Sequence, residues 1–283
     1  MNIGIIGLGL IGGSLGRAII KKTEHKVYGY DISADVMLKA EILSAIHFPL
    51  TEQDYEKLDL LIIATFPRLF EKIMQDTTPK LKNSACVIDI GGNKKAPVTA
   101  MRKMSKKFPD INFIATHPMA GKEFPGIDHS TPTLFEKASM IMVPITNDAK
   151  VISDLKKLFL ELGFGTIIFT DDKTHDKMIS YTSQLPHIIS SCYIQSDLAD
   201  VHNGFSAGSF RDLSRVARMN PIMWTELVLD NKTELLPELE SFINRLTAFK
   251  DALRTNNEAK IKTMFQNGNA KKEQIENQKK ENK

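Results

Sequence analysis

Residues 1–31 constrain the fold more than any other stretch, because they read as a strand, a glycine turn, a helix and a second strand ending in an acid. The run Asn2-Ile3-Gly4-Ile5-Ile6 is followed by Gly7, Leu8, Gly9, Leu10, Ile11 and Gly12, a G-x-G-x-x-G spacing. Gly7 permits a tight turn, Gly9 has no Cβ and lets a pyrophosphate reach the backbone, and Gly12 lets the next helix pack closely on the strand. That helix, residues 13–21, would aim its free N–H groups and positive dipole end at the phosphates. Glycine triplets at this spacing also arise in flexible loops, so context decides. Lys26-Val27-Tyr28-Gly29-Tyr30 supplies a second strand. Asp31 ends it about 20 residues beyond the glycines, where a carboxylate accepts hydrogen bonds from an adenosine ribose. The unit therefore reads as dinucleotide-binding rather than as a plain strand-helix-strand. Asp31 would repel a 2′-phosphate, and Ile32 and Ser33 offer no cation, so NAD is expected in preference to NADP.

The rest of the chain extends that unit. Apolar runs at residues 59–65, 85–90, 112–116, 138–144 and 165–170 alternate with helical spacing at 34–44, 69–81, 96–108 and 149–162. This alternation predicts an α/β fold, a doubly wound Rossmann-type parallel sheet. From Lys173 onward no strand-like run recurs, and residues 178–198 and 222–253 carry helical apolar spacing. We therefore expect a nucleotide-binding domain over 1–170, an all-α substrate and dimerisation domain over 171–268, and a polar tail over 269–283 that frays. In that tail Ile275 is the one large apolar residue. Long apolar helices without a sheet of their own point to a homodimer.

Composition excludes several classes of function. At 283 residues with 42% hydrophobic and 25% charged residues, the chain suits a two-domain globular protein. A formal net charge of +3 is too small to argue for nucleic acid. No apolar run reaches the roughly 18 residues that span a bilayer, and the N-terminus enters a strand without a basic leader, so no membrane association and a cytoplasmic location are expected. Cys86 and Cys192 both sit in apolar contexts and read as buried thiols rather than as a disulfide.

In open parallel sheets ligands bind outside the carboxyl ends of the strands. The residues there are the glycine turn, Asp31, Thr65-Phe66-Pro67, Gly91-Gly92-Asn93 and His117. Thr65 joins the expected cofactor set. His117 is the one side chain among them suited to proton transfer near neutral pH.

Four further stretches carry a resemblance: Gly7 to Ser14, His117-Pro118-Met119-Ala120-Gly121-Lys122-Glu123, Ser183-Gln184-Leu185-Pro186-His187, and Phe210-Arg211-Asp212-Leu213-Ser214-Arg215-Val216-Ala217 with Asn220-Pro221-Ile222-Met223-Trp224 just beyond. Over about residues 1–265 the chain resembles the prephenate dehydrogenase family, which includes arogenate and cyclohexadienyl dehydrogenases. The resemblance implies NAD-dependent oxidative decarboxylation of prephenate to 4-hydroxyphenylpyruvate in tyrosine biosynthesis. His117 then matches the family base that takes the proton of the substrate's C4 hydroxyl, and Arg215 the arginine that binds a substrate carboxylate. His187 lies near the substrate side chain, with Gly92, Gly208 and Asp212 completing the substrate set and Trp224 as a packing anchor. Independently of the family, a dicarboxylate substrate suits a guanidinium fork.

One departure stands out. The family often carries D-x-G-S after the corresponding strand, its hydroxyl helping to hold the substrate hydroxyl and the catalytic histidine. Here Asp89-Ile90-Gly91-Gly92 puts glycine in the serine position, so Asn93, Lys94 or a water is expected to supply the missing contact. The chain also has no room for an ACT domain, so feedback through one is not expected. Three alternatives stay open: an arogenate dehydrogenase using Glu123 or Asp212 for the substrate ammonium; a β-hydroxyacid dehydrogenase, whose catalytic lysine would have to be Lys173 or Lys177; and a non-catalytic NAD-binding homologue, disfavoured because His117 and Arg215 are both present. The lack of an obvious ammonium partner favours prephenate.

Overall fold

The structure, a computed structural model, describes residues 1–281. Its sheet domain alternates β1 (Asn2–Ile6), α1 (Leu10–Lys22), β2 (Lys26–Tyr30), α2 (Ala34–Ile42), β3 (Phe48–Pro49), β4 (Leu60–Ile63), α3 (Phe70–Thr77), β5 (Cys86–Asp89) and α4 (Lys95–Lys107). β6 (Asn112–Pro118), β7 (Ser139–Pro144), α5 (Ala149–Glu161) and β8 (Thr166–Phe169) complete it. The eight strands lie in the order β3-β2-β1-β4-β5-β6-β7-β8. Strands covered on both faces need apolar side chains at every position. Ile3, Ile5, Leu60, Ile62, Cys86 and Ile88 join the core on one face of the sheet, and Ile6, Leu61, Ile63 and Val87 that on the other.

Two features of the sheet differ from expectation. β7 runs antiparallel to β6, and β8 then runs parallel to β7. The connection from β6 to β7 contains only the short 3-10 turn Ile127–His129. With no crossover helix to return the chain to the opposite edge, it re-enters from the edge it left. β3 is a two-residue edge strand paired with β2, too short and too proline-bound to leave a pattern in the sequence.

The helical part begins with α6 (Asp172–Ile179), passes through a π-helical turn, Ser180–Gln184, and continues as α7 (Leu185–Tyr193), α8 (Gly208–Ser214), α9 (Pro221–Asp230), α10 (Lys232–Arg254) and α11 (Glu258–Glu281). The π turn ends two residues before Pro186. Proline removes one i to i−4 hydrogen bond and crowds the preceding carbonyl, and a one-turn widening relieves both. By packing, the chain forms two compact units, Met1–Lys232 and Thr233–Lys283. The helices α6 to α9 thus belong with the sheet. Residues 269–281, expected to fray, continue α11 as regular helix. Lys, Glu and Gln are good helix formers, and Lys272 and Glu276 pair at i, i+4 with 3.2 Å between them. Cys86 is buried, as expected, whereas Cys192 is exposed: apolar neighbours in sequence do not bury a side chain unless another element packs on its face of the helix. Among the described residues no helix is long and apolar enough to cross a membrane.

Candidate active site

The glycine turn has the shape its spacing implies. Gly7 takes a φ of +91°, and a Cβ there would also press on the Ala64 carbonyl. A Cβ on Gly12 would collide with the Gly7 carbonyl oxygen, whereas one on Gly9 would meet nothing within 4 Å. Gly9 is therefore the open side of the turn, and Leu10 and Ile11 begin α1 from it. Asp31 is fixed across the turn: its Oδ2 accepts the Leu8 N–H at 2.9 Å and its Oδ1 the Ser33 N–H at 3.0 Å. The Thr65 hydroxyl oxygen, next to Gly7, is buried and has no hydrogen-bond partner among the described residues. An open glycine cradle, an anchored carboxylate and an orphaned hydroxyl along one sheet edge fit a dinucleotide.

His117 lies near the carboxyl end of β6, half-buried. Its Nδ1 is 2.9 Å from Nε2 of His175 on α6, and Nδ1 of His175 is 2.7 Å from Oδ1 of Asp176. Asp176 in turn accepts the Lys94 N–H at 2.7 Å and the Lys95 N–H at 2.9 Å, where α4 begins. The Lys94 side chain is fully buried and pairs with Asp89 at 2.5 Å, while Asp89 also accepts the Gly91 N–H at 2.9 Å and the Thr116 N–H at 3.0 Å. Burial, then the Lys94 ammonium and His175, hold the His117 pKa well below the usual histidine value. Burial also lowers that of His175, against the pull of Asp176. These surroundings favour the neutral imidazole of His117, the state a proton acceptor needs.

A second group forms around α7. His187 bonds the Ser183 carbonyl through Nδ1 at 2.7 Å and stacks on Trp224, the ring centroids 4.1 Å apart. Burial lowers its pKa, the Ser183 carbonyl opposes this, and the Arg215 charge lowers it further. Arg215 directly follows α8, where Gly208 opens the helix and Asp212 is exposed. Among the described residues Arg215 makes no ion pair with Asp212, so its guanidinium stays available.

Buried amides tie the two groups together. Gln184, in the π turn that also carries Ser183, donates to Asn93 Oδ1 at 2.9 Å, and Asn231 donates to Gln184 Oε1 at 2.7 Å and to the Asp176 carbonyl at 3.0 Å. Asn93 spends its own amide N–H on the Leu227 carbonyl at 2.7 Å. Among the described residues the Asn93 amide donates to the Leu227 carbonyl and the Lys94 ammonium to Asp89, and neither side chain bonds His117. A Cβ at Gly92 would lie 3.1 Å from Leu227 Cδ2, so Leu227 occupies the space on that side of the loop.

Comparison with known proteins bears on the family of the chain. The family model described as the prephenate dehydrogenase nucleotide-binding domain matches residues 15–168, and that described as the prephenate dehydrogenase dimerization domain matches residues 171–267. The chain belongs to the prephenate dehydrogenase family. Among similar proteins, the cyclohexadienyl dehydrogenase of Zymomonas mobilis is 29% identical over 269 residues, covering 89% of this chain and 88% of that protein. The prephenate dehydrogenase of Lactococcus lactis is 28% identical over 274 residues, covering 93% and 74%. The crystal structure of Aquifex aeolicus prephenate dehydrogenase, in complex with hydroxyphenyl propionate and NAD+, superposes with a TM-score of 0.84 at 25% identity, covering 97% of this chain and 98% of that one.

As a dehydrogenase of the prephenate, cyclohexadienyl and arogenate family, the chain needs a base, and the structure adds residues that sequence reasoning missed. His175 and Asp176 adjoin His117 only in three dimensions. Their one signal in the sequence is weak: two polar residues on a helix face that also carries Ile179. On the same helix Lys173 and Lys177 are exposed while His175 and Asp176 are buried. The lysine that a β-hydroxyacid dehydrogenase would need is therefore turned to water.

Proposed function

We propose that this chain is an NAD-dependent prephenate dehydrogenase acting as a homodimer. The observation that carries the reading is His117, held neutral at the sheet edge that bears the glycine cradle. When bound, NAD supplies the acceptor for the hydride that leaves ring C4 of the substrate. His117 takes the proton of the C4 hydroxyl, so a carbonyl forms at C4 as the C–H bond breaks. The ring carboxylate leaves as carbon dioxide, and its electron pair enters the ring, which becomes aromatic. Because aromatisation drives the chemistry, the residues have only to orient the substrate, accept one proton and bind anions. Arg215 offers a two-pronged donor to a carboxylate, and His187, braced by Trp224 and Ser183, offers Nε2 toward the substrate side chain.

Arogenate is the second reading. Asp212 lies three residues from Arg215 and is unpaired among the described residues, which leaves a carboxylate for an ammonium. The test is NADH formation with prephenate and arogenate offered separately, on the parent protein and on His117→Asn. We expect turnover of prephenate and a drop of roughly 10² to 10⁴ in kcat in the variant, with NAD affinity little changed. Near-normal turnover in His117→Asn would remove the base assignment, and preference for arogenate would replace the substrate.

A further inference from the structure

We infer that Asp176 and His175 place the proton of neutral His117 on Nδ1 and so make Nε2 its basic nitrogen. The inference rests on the reading of His117 as the base and says which atom acts and what holds it. Three N–H groups converge on Asp176: those of Lys94 and Lys95 from the backbone, and Nδ1 of His175. A carboxylate only accepts, so His175 must carry its proton on Nδ1. The opposite tautomer would set a ring lone pair against a carboxylate oxygen at 2.7 Å. A neutral His175 with its proton on Nδ1 presents a bare Nε2, and that atom faces Nδ1 of His117 at 2.9 Å. His117 must then donate from Nδ1, and its lone pair is left on Nε2. The direction of every bond in the relay follows from the single fact that its far end is an acid.

Packing keeps the relay in place. His175 is 2% exposed and Asp176 3%, so neither side chain can turn to another partner. Asp176 is anchored to the backbone where α4 begins, and Asn231 holds its carbonyl at 3.0 Å. His175 and Asp176 are positioning residues in this scheme. They act through His117, by setting its tautomer and ring plane. Once Nε2 has taken a proton, the His117 imidazolium still donates to His175, and Asp176 lies at the end of the same chain of bonds to favour that charge.

The decisive measurement needs no substrate. Two-bond ¹H–¹⁵N spectra of the full chain, labelled at histidine and recorded at about pH 8, well above the ordinary histidine range, report which ring nitrogen carries the proton. His117 is assigned by the signals lost in His117→Asn. We expect the protonated nitrogen of His117 to be Nδ1, and a proton on Nε2 in the parent protein would overturn the inference. Asp176→Leu, which leaves Nδ1 of His175 with no acceptor, should release the fixed tautomer so that a proton on Nε2 of His117 becomes populated, and should lower kcat by roughly 10²- to 10⁴-fold, the scale of a misplaced tautomer, with KM for NAD within about twofold. His175→Gln, whose amide oxygen still accepts from Nδ1, should keep more activity than His175→Phe, and equal losses in the two would argue for a merely structural role. If the parent protein does not turn over prephenate, the proposed substrate fails, while the tautomer is still read directly.

Discussion

Replacing Lys94 with methionine tests how the buried charges beneath the site support both fold and chemistry. Methionine is close in volume to the lysine stem, so the change removes a charge without opening a large cavity. Lys94 and Asp89 are 0% and 3% exposed at their side chains and lie 2.5 Å apart. Removing one partner of such a pair costs about 3–5 kcal/mol, because the other charge is left buried and uncompensated. Asp89 keeps the backbone N–H groups of Gly91 and Thr116 as donors, which places the expected loss at the low end, about 3 kcal/mol. Urea denaturation reads that loss directly, and for a chain of this size the melting temperature should fall by about 6–12 °C. Adding Asp89→Asn should recover part of it by removing the stranded charge. The second readout is pH. The Lys94 ammonium disfavours protonation of His117, so without it the His117 pKa rises toward the ordinary value of 6.5. On acidification, turnover should then begin to fall at a higher pH than in the parent protein. A stability loss under about 1 kcal/mol, or an acid limb that does not move, would refute the reasoning.

Other expectations follow from the same geometry. Arg215→Ala should raise KM for prephenate by roughly 30-fold to several-thousand-fold, equivalent to about 2–5 kcal/mol, and lower kcat much less. Lysine at that position should rescue only in part, and an unchanged KM in a folded Arg215→Ala protein would end the carboxylate assignment. The parent protein should favour NAD over NADP at least about tenfold, or 1.4 kcal/mol. Asp31→Ala should weaken NAD and relax that preference, since it also frees the N–H groups of Leu8 and Ser33, and equal efficiency with the two cofactors in the parent would count against Asp31. Light scattering at micromolar concentration should show a homodimer, consistent with the large apolar side chains of Met178, Tyr181, Tyr193, Leu213, Ile222 and Leu229 that the single chain leaves exposed. A monomer would contradict this.

What neighbouring residues encode is legible in the sequence alone. The glycine turn is written in six consecutive residues, because φ and the space around a missing Cβ are local matters. The buried strands are written in continuous apolar runs, and the place of His117 follows from its standing at the end of one of them. The change from sheet to helices shows in a change of period. Tertiary structure decided the rest. β7 runs antiparallel because no crossover helix precedes it, and the apolar period of its sequence is the same in either direction. Helix-period residues near Pro186 became a π turn, which put Gln184 inward to meet Asn93, 91 residues away. Cys192 came to the surface although its neighbours are apolar, since burial depends on what packs against a face. His175 stands 58 residues from His117 and Asp176 82 from Lys94. Neither pairing has a local cause. Each exists because the fold brings α6 against the carboxyl end of β6 and the loop after β5, and because polar groups buried there must find one another or bear the full cost of losing water.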